Sequence, residues 1–107
     1  MNNRFMRIMV FFDLPVSTQK KRREYALFRK SLIESGYTML QYSVYSRTVR
    51  NHDDAMKHIA RLKKQMPPEG SVRAMIVTEK QYAGMYLLLG DRLAEENYLD
   101  DRDMMEL

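Results

Sequence analysis

The sequence contains no cysteine and no long hydrophobic run. Without cysteine the chain can form neither a disulfide nor a thiolate zinc site, which fits a reducing cytoplasm. No segment approaches the roughly 20 apolar residues that a membrane-spanning helix requires, and the N-terminal apolar run lacks a small-residue cleavage site. The sequence therefore predicts one soluble domain in the cytoplasm, with no membrane partner.

The charge is unevenly distributed along the 107 residues. Residues 1–90 hold 16 Lys and Arg against 7 Asp and Glu, whereas residues 91–107 hold 2 against 7. A basic body of this kind indicates a polyanionic partner, although basic surfaces also serve solubility. The acidic end predicts a separate tail that faces away from that partner or binds a second protein.

An apolar run over residues 5–12 ends on a single acid, Asp13, and is closed by Pro15. The run is too continuous for a half-exposed strand and too short for a globular helix, so it predicts a strand that is buried on both faces. Asp13 then lies where the strand leaves the sheet, a position that suits a cation or a phosphate-bound metal. An Asx turn is the alternative role for Asp13, and spacing alone favours it.

A basic helix follows this strand. Ser17 or Thr18 can cap its start, and Gly36 can end it. Most of its lysines and arginines are typical of a solvated face. Arg22 and Arg23 differ because the first helical turn lies near the end of the preceding strand, and we predict that they contact phosphates. The predicted buried stripe consists of Tyr25, Phe28 and Leu32.

The remaining chain predicts strands on either side of a second helix. Residues 37–49 are rich in β-branched and aromatic side chains and form one strand, or two if a bulge breaks them near Ser43. The second helix begins after Asn51 and ends before Pro67. The later predictions are a strand over residues 71–78, a turn or short helical loop over 79–82, and a last strand over 84–90.

This order of elements predicts an α+β fold over residues 1–90, a ferredoxin-like βαββαβ sandwich with an extra C-terminal strand at 84–90. Both helices cover one face of the sheet and leave the other bare. Since the first strand is apolar on both sides, we predict a homodimer whose sheets pack face to face, with 84–90 as an exchanged edge strand. Two copies of Asp13 across the dimer axis would suit a magnesium ion better than one.

Three stretches carry a resemblance to a known family: F-F-D-L-P with the basic helix after it, G-Y-T-M-L-Q-Y-S-V-Y-S, and V-T-E-K-Q-Y. Together they resemble the small CRISPR-associated proteins of the Cas-two family, in the variant that accompanies type II systems. The resemblance covers nearly the whole chain to Gly90. It implies a ferredoxin-like homodimer with metal-dependent endonuclease activity on RNA or DNA, using Mg²⁺ or Mn²⁺.

The same resemblance implies a part in antiviral defence through spacer acquisition. One central dimer would bind double-stranded DNA and be clasped by two dimers of an integrase partner. Asp13 resembles the catalytic, metal-binding acid of the family, and Arg22 or Arg23 the basic residue beside it. The second family motif, with which we associate nucleic-acid binding, is matched by Gln41, Ser43 and Tyr45.

Two positions depart from the family pattern. Phe12 stands where a tyrosine commonly precedes the acid, and Tyr45 stands where phenylalanine is commoner. The hydroxyl next to the acid is therefore missing, which counts against hydrolysis more than against the fold.

Functions of different classes fit these features. A magnesium-dependent phosphodiesterase would use paired Asp13 carboxylates and an arginine, but no general base is placed beside them. A non-catalytic scaffold needs only the basic body and a docking segment, and is favoured for the biological role. An RNA-binding or ligand-sensing dimer is the alternative, with single-stranded RNA as a partner. The predicted integrase-docking segment is Met85, Tyr86, Leu87, Leu88 and Leu89, with the acidic tail.

Overall fold

Residues 5–91 are described by a computed structural model of the chain. The elements are β1 (Met6–Asp13), α1 (Gln19–Glu34), β2 (Thr38–Gln41), β3 (Val44–Val49), α2 (His52–Lys63), β4 (Ser71–Thr78) and α3 (Glu79–Ala83). None of these helices is long and apolar enough to cross a membrane. Apart from Asp91, the predicted acidic tail over residues 91–107 lies outside the described residues.

The four strands form one antiparallel sheet in the order β2-β3-β1-β4. With a helix after β1 and another after β3, this is the ferredoxin-like α+β arrangement that the order of elements predicted. The helix caps are also as predicted: the Thr18 side chain accepts a hydrogen bond from the Lys21 amide, and Asn51 accepts one from the Asp54 amide. These caps fix where α1 and α2 begin.

Alternate residues of β1 face the helices. Ile8 and Val10 are 0% exposed and Phe12 is 6% exposed, because each inserts between the sheet and the two helices. The Phe12 ring meets the Phe28 ring of α1 edge-on, with centroids 5.2 Å apart. The helices contribute Phe28, Leu32, Ala55 and Leu62 to this core.

Residues 37–49 form two strands, which decides between the alternatives that the sequence left open. Tyr42 and Ser43 make the turn between β2 and β3, and Ser43 has a φ of 65°. Its backbone therefore adopts the left-handed conformation that tight hairpin turns require. A shift of register between Met39 and Gln41 adds an irregularity before the turn. The sequence shows none of the usual Asn-Gly or Asp-Gly signals for this turn.

The C-terminal strand predicted over residues 84–90 is absent from the described chain. Thr78 instead caps α3, and its side chain and that of Gln81 bond reciprocally to the backbone. This cap turns the chain back over the face of the sheet that was predicted to be bare. Tyr82 is buried there, with its ring 3.9 Å below the Arg7 guanidinium. Residues 85–91 are irregular and exposed.

Candidate functional site

Asp13 is the last residue of β1 and is exposed. It pairs in register with Ser71, the first residue of β4, so its side chain projects from the sheet face opposite to the helices. Among residues 5–91, no side chain makes a hydrogen bond or an ion pair with its carboxylate. The position predicted from the sequence is confirmed, and the carboxylate is free to accept a ligand from outside.

A close backbone approach fixes the strand end that carries Asp13. Gly70 precedes β4 with a φ of +111°, and a Cβ at this position would lie 2.8 Å from the carbonyl oxygen of Asp13 and 2.6 Å from Leu14. Only glycine combines this conformation with this proximity. The sequence alone did not indicate this role of Gly70 beside Asp13.

Two of the predicted binding residues lie at the same end of the sheet as Asp13. The carbonyl of Ser43 accepts a hydrogen bond from the Phe12 amide at 3.1 Å, which places the hairpin turn beside the acid. Gln41 pairs with Val44, which pairs with Phe11 of β1. The exposed Gln41 side chain therefore lies on the same face as Asp13, two strands away.

The predicted arginines lie in the first turns of α1, and both are exposed. The guanidinium of Arg22 donates to the carbonyl of Val16 at 3.0 Å, which holds it against the loop that leaves Asp13. Arg23 has no hydrogen bond or ion pair within residues 5–91. A positive charge is therefore available close to the strand end, as Arg22 and Arg23 were predicted to provide.

Tyr45 does not belong to this surface. It is 1% exposed, its ring lies 5.6 Å from that of Phe12 in the core, and its hydroxyl is buried without a hydrogen-bond partner in the described chain. The prediction that Tyr45 contacts nucleic acid directly is therefore wrong, because its side chain is not accessible. Tyr45 faces the helices because it pairs with Val10, whose side chain lies in the core.

Sequence reasoning missed Arg73 as part of this surface. Arg73 of β4 pairs with Phe11, so it lies diagonal to Asp13 on the same face, and it is exposed. Diagonal neighbours in a sheet are about 7–8 Å apart, a distance that one phosphate group can bridge. The alternation of residues 71–78 could have indicated Arg73, had the register with β1 been known.

A pair of stacked tyrosines completes this end of the molecule. The ring of Tyr42 in the hairpin turn is 77% exposed and stacks on Tyr25 of α1, with centroids 6.3 Å apart. Partial burial raises the pKa of Tyr25, and its hydrogen bond with Tyr42 raises it further. The sequence pattern predicted Tyr25 as part of the buried stripe of the first helix and gave no sign of its contact with Tyr42.

The face that carries Asp13 also holds an apolar groove of about 270 Å³, lined by residues that include Met9, Phe11, Met75, Tyr82 and Met85. Met75 is 51% exposed and Phe11 is 36% exposed. The predicted docking segment continues from this groove and is more exposed still, with Leu88 at 92% and Leu89 at 93%. Contiguous exposed apolar surface of this kind is typical of a protein interface.

A family model described as "CRISPR associated protein Cas2" matches residues 6–85, which include all seven described elements. The chain belongs to this family. The resemblance drawn from the sequence motifs is therefore confirmed.

Several Cas2 relatives are similar to the chain over most of its length, and each is named CRISPR-associated endoribonuclease Cas2. The relative from Acidovorax ebreus is 52% identical over 91 residues, which is 85% of this chain and 89% of the relative. Treponema denticola has one that is 46% identical over 97 residues, or 91% of this chain and 96% of the relative. The one from Ligilactobacillus salivarius is 47% identical over 90 residues, or 84% of this chain and 89% of the relative.

A solved structure titled "Crystal structure of cas2" also aligns with this chain. It is 20% identical, covers 84% of this chain and 92% of that structure, and gives a TM-score of 0.49.

Proposed function

We propose that the protein is the dimeric core of a CRISPR adaptation complex and that it also cleaves phosphodiester bonds in a metal-dependent reaction. The observation that carries the proposal is the exposed, unpaired carboxylate of Asp13 at the end of β1. Arg22, Arg73 and the hairpin turn at Ser43 lie around it. An acid beside several phosphate-binding groups is the arrangement that a metal-assisted nuclease needs.

The endonuclease activity rests on family membership and on the chemistry of the Asp13 site. The relatives are named endoribonucleases, so RNA is the first substrate to test, with duplex DNA as the second. Within residues 5–91, no cluster of three or more His, Asp or Glu side chains could hold a metal ion. One carboxylate per chain fits magnesium or manganese only together with phosphate oxygens, water or a second carboxylate.

A homodimer would supply that second carboxylate. The apolar groove and the exposed Phe11 and Met75 lie on the face that carries Asp13, and their burial against a second copy would bring two sheets face to face. Closed two-fold symmetry would then place two Asp13 side chains on a shared surface.

In this dimer each residue near Asp13 has a separate task. Arg22 and Arg73 would bind and orient the scissile phosphate, because a guanidinium group can donate two hydrogen bonds to two oxygens of one phosphate. The Asp13 carboxylates would hold Mg²⁺ or Mn²⁺. When bound, such an ion neutralises charge on the phosphate and lowers the pKa of a water molecule. Gln41 would contribute a neutral hydrogen-bonding group to the nucleic acid on the same face.

The scaffold role needs no reaction at Asp13. Residues 1–90 carry 16 basic against 7 acidic side chains, enough for a binding surface that tracks duplex phosphates. The exposed apolar residues 85–89 would dock the integrase, with two integrase dimers flanking one central dimer. The acidic tail would extend that docking surface, because its charge is opposite to that of the body.

A substitution at Asp13 tests the nuclease proposal. Asp13→Asn keeps the shape but removes the charge that holds the ion, so cleavage of single-stranded RNA and of duplex DNA should fall at least about 100-fold in Mg²⁺ or Mn²⁺. The matched control is Asp53→Asn, because Asp53 is an exposed acid in the first turn of α2. Its cleavage rate should be unchanged.

Binding measurements separate the nuclease from the scaffold. Asp13→Asn should still bind duplex DNA, and its affinity should fall by orders of magnitude between low and moderate salt as counterions are released. Undiminished cleavage by Asp13→Asn contradicts the nuclease proposal, whereas an affinity independent of salt contradicts the scaffold.

A non-cleaving RNA-binding dimer is the second candidate function, and the stacked tyrosines favour it. The ring of Tyr42 is largely exposed and its position is supported by Tyr25, so an unpaired base could stack on it. Tyr42→Ala should then weaken binding of single-stranded RNA more than binding of duplex DNA, as measured by fluorescence anisotropy. Equal weakening of both would leave charge as the only basis of binding.

A further inference from the structure

A second polar site lies on the helix-covered side of the molecule. A cavity of about 470 Å³ opens between the C-terminal end of α1, β3 and α2. Arg47 of β3 lines it and pairs in register with Ile8, five residues before Asp13 on β1. At about 3.4 Å per residue the two positions are about 17 Å apart along the strand, and they face opposite sides of the sheet. The cavity is therefore separate from the Asp13 surface.

The cavity is rich in cations that lack acidic partners. Arg47, Arg61 and Lys64 line it, and among residues 5–91 none of the three forms an ion pair. Glu34 is the single carboxylate in the lining. The nearby Asp54 already has partners, because its Oδ1 lies 3.6 Å from Nη2 of Arg50 and 3.5 Å from Nε2 of His58. An excess of positive charge therefore remains uncompensated within the described chain.

The Arg47 guanidinium is held in place but is incompletely bonded. One of its terminal nitrogens donates to the Ser35 carbonyl at the end of α1, while its Nε is buried and has no partner in the described chain. Gly36, with a φ of +91°, makes room for this side chain, because a Cβ there would collide with the guanidinium. The hydroxyl of Tyr37, in the same lining, is also buried without a partner.

The charge of Arg47 acts on its titratable neighbours. The pKa of His58 lies below its ordinary value, first because of burial and then because of the positive charge of Arg47. Burial raises the pKa of Tyr37, and Arg47 opposes that rise. Both effects of Arg47 favour the less positive form of the neighbour, as expected where the local potential is positive.

We propose that this cavity binds a phosphate group, with Arg47 and Arg61 as its main ligands and Lys64 as a further charge. One guanidinium group can donate two parallel hydrogen bonds to two oxygens of a phosphate. Because the Arg47 side chain is already half-buried, it loses little conformational freedom when it binds. The volume of about 470 Å³ leaves room for a nucleoside monophosphate. A phosphate of a nucleic-acid chain has the same chemistry, so the experiment must separate these two sources.

The test follows backbone amide signals of the full-length protein by NMR during titration with inorganic phosphate, with adenosine 5′-monophosphate and with a short DNA duplex. Saturable shifts at Gly36 and Arg61 are expected. Arg61→Gln should weaken this binding about tenfold or more, since it removes one guanidinium from the site. Lys63→Gln is the matched control, because Lys63 is exposed on the same helix outside the cavity lining, and it should change the affinity less than about twofold.

The three probes distinguish the sources of phosphate. Saturation by the monophosphate supports a site for a free ligand, and a response to the duplex alone that depends on Arg61 supports a contact to nucleic-acid backbone. The absence of saturable shifts with all three probes would overturn the proposal, and so would equal weakening by Arg61→Gln and Lys63→Gln. Asp13→Asn should leave these shifts unchanged, so this experiment tests the cavity separately from the nuclease proposal.

Discussion

Both faces of β1 carry large apolar side chains, but the surroundings of the two faces differ. On the helix-covered face Ile8 and Val10 are 0% exposed. On the opposite face Phe11 is 36% exposed, and Met75, its diagonal neighbour on β4, is 51% exposed. Within residues 5–91 the chain therefore completes the core on one face of β1 and leaves the other, unfinished face partly exposed. Because apolar area in contact with water is costly, the second face is the one on which we propose that a second copy packs.

The unfinished face is not uniform. At the Arg7 end, α3 covers it, with Tyr82 stacked on Arg7 and Glu79 bonded to the same guanidinium. Toward Asp13 it is open. The described residues therefore cover the part of this face that is remote from the candidate site and leave uncovered the part that carries Asp13.

The largest expected difference between the two faces is in folding stability. Ile8→Ala removes a fully buried side chain from the helix-covered core and should lower the free energy of unfolding by about 2–5 kcal/mol. Met75→Ala, on the open face, should lower it by less than about 1 kcal/mol in the monomer. Urea unfolding at several protein concentrations separates this effect from that of association. A loss at Met75 equal to that at Ile8 in dilute protein would remove the distinction between the faces.

For self-association, substitutions on the open face should have larger effects than substitutions on the helix-covered side. Met75→Glu places a charge in the proposed interface and should raise the dimer dissociation constant at least tenfold, about 1.4 kcal/mol. Met56→Glu is the matched control, because Met56 of α2 is 49% exposed and lies outside the sheet. Sedimentation velocity measures both variants. If Met75→Glu remains as dimeric as Met56→Glu, the open face is not the dimer interface.

A smaller gain is expected within the helix-covered core. The Tyr45 hydroxyl is buried without a hydrogen-bond partner in residues 5–91, so Tyr45→Phe should stabilise the fold by about 1 kcal/mol or leave it unchanged. Thermal unfolding followed by circular dichroism gives the comparison with the unsubstituted protein. A clear loss of stability would mean that the hydroxyl has a partner, such as a buried water.

The smallest effect depends on pH and is confined to the helix-covered side. Burial and Arg47 outweigh the attraction of Asp54 and hold the pKa of His58 below its ordinary value. The unfolded chain, with a histidine pKa of about 6.5, therefore binds this proton more readily, and stability should fall as pH decreases below about 6.5. Asp54 stays ionised in this range, because the hydrogen bond from the Arg50 amide lowers its pKa.

Replacement of His58 tests this dependence. His58→Gln should make the loss of stability between about pH 7.5 and about pH 5 shallower, whereas His52→Gln, at an exposed position, should leave the slope as it is. Urea unfolding at each pH provides the measurement. Identical slopes for the two variants would show that His58 does not control this acid response.

Local signals in the sequence were sufficient for most elements. The caps at Thr18 and Asn51 and the strand over residues 71–78 lie where side-chain chemistry and alternation placed them, because these features depend on near neighbours in the chain. The strand predicted over residues 84–90 was expected to pair with the sheet of a second copy, so it depends on a distant partner and stays a prediction. An apolar run of that length becomes a strand only when a sheet edge is available to pair with it, and in the single chain α3 directs it elsewhere.

The candidate site divides in the same way. Residue order and composition were enough to predict that Asp13 ends a strand, that a basic helix follows, and that the body of the chain is cationic. The folded chain was needed to show that Arg73 and Gln41 share a face with Asp13, that Tyr45 is a core residue, and that Arg47 and Arg61 line one cavity. These relations depend on the register between strands far apart in sequence, and a shift of one residue in that register would move each side chain to the other face.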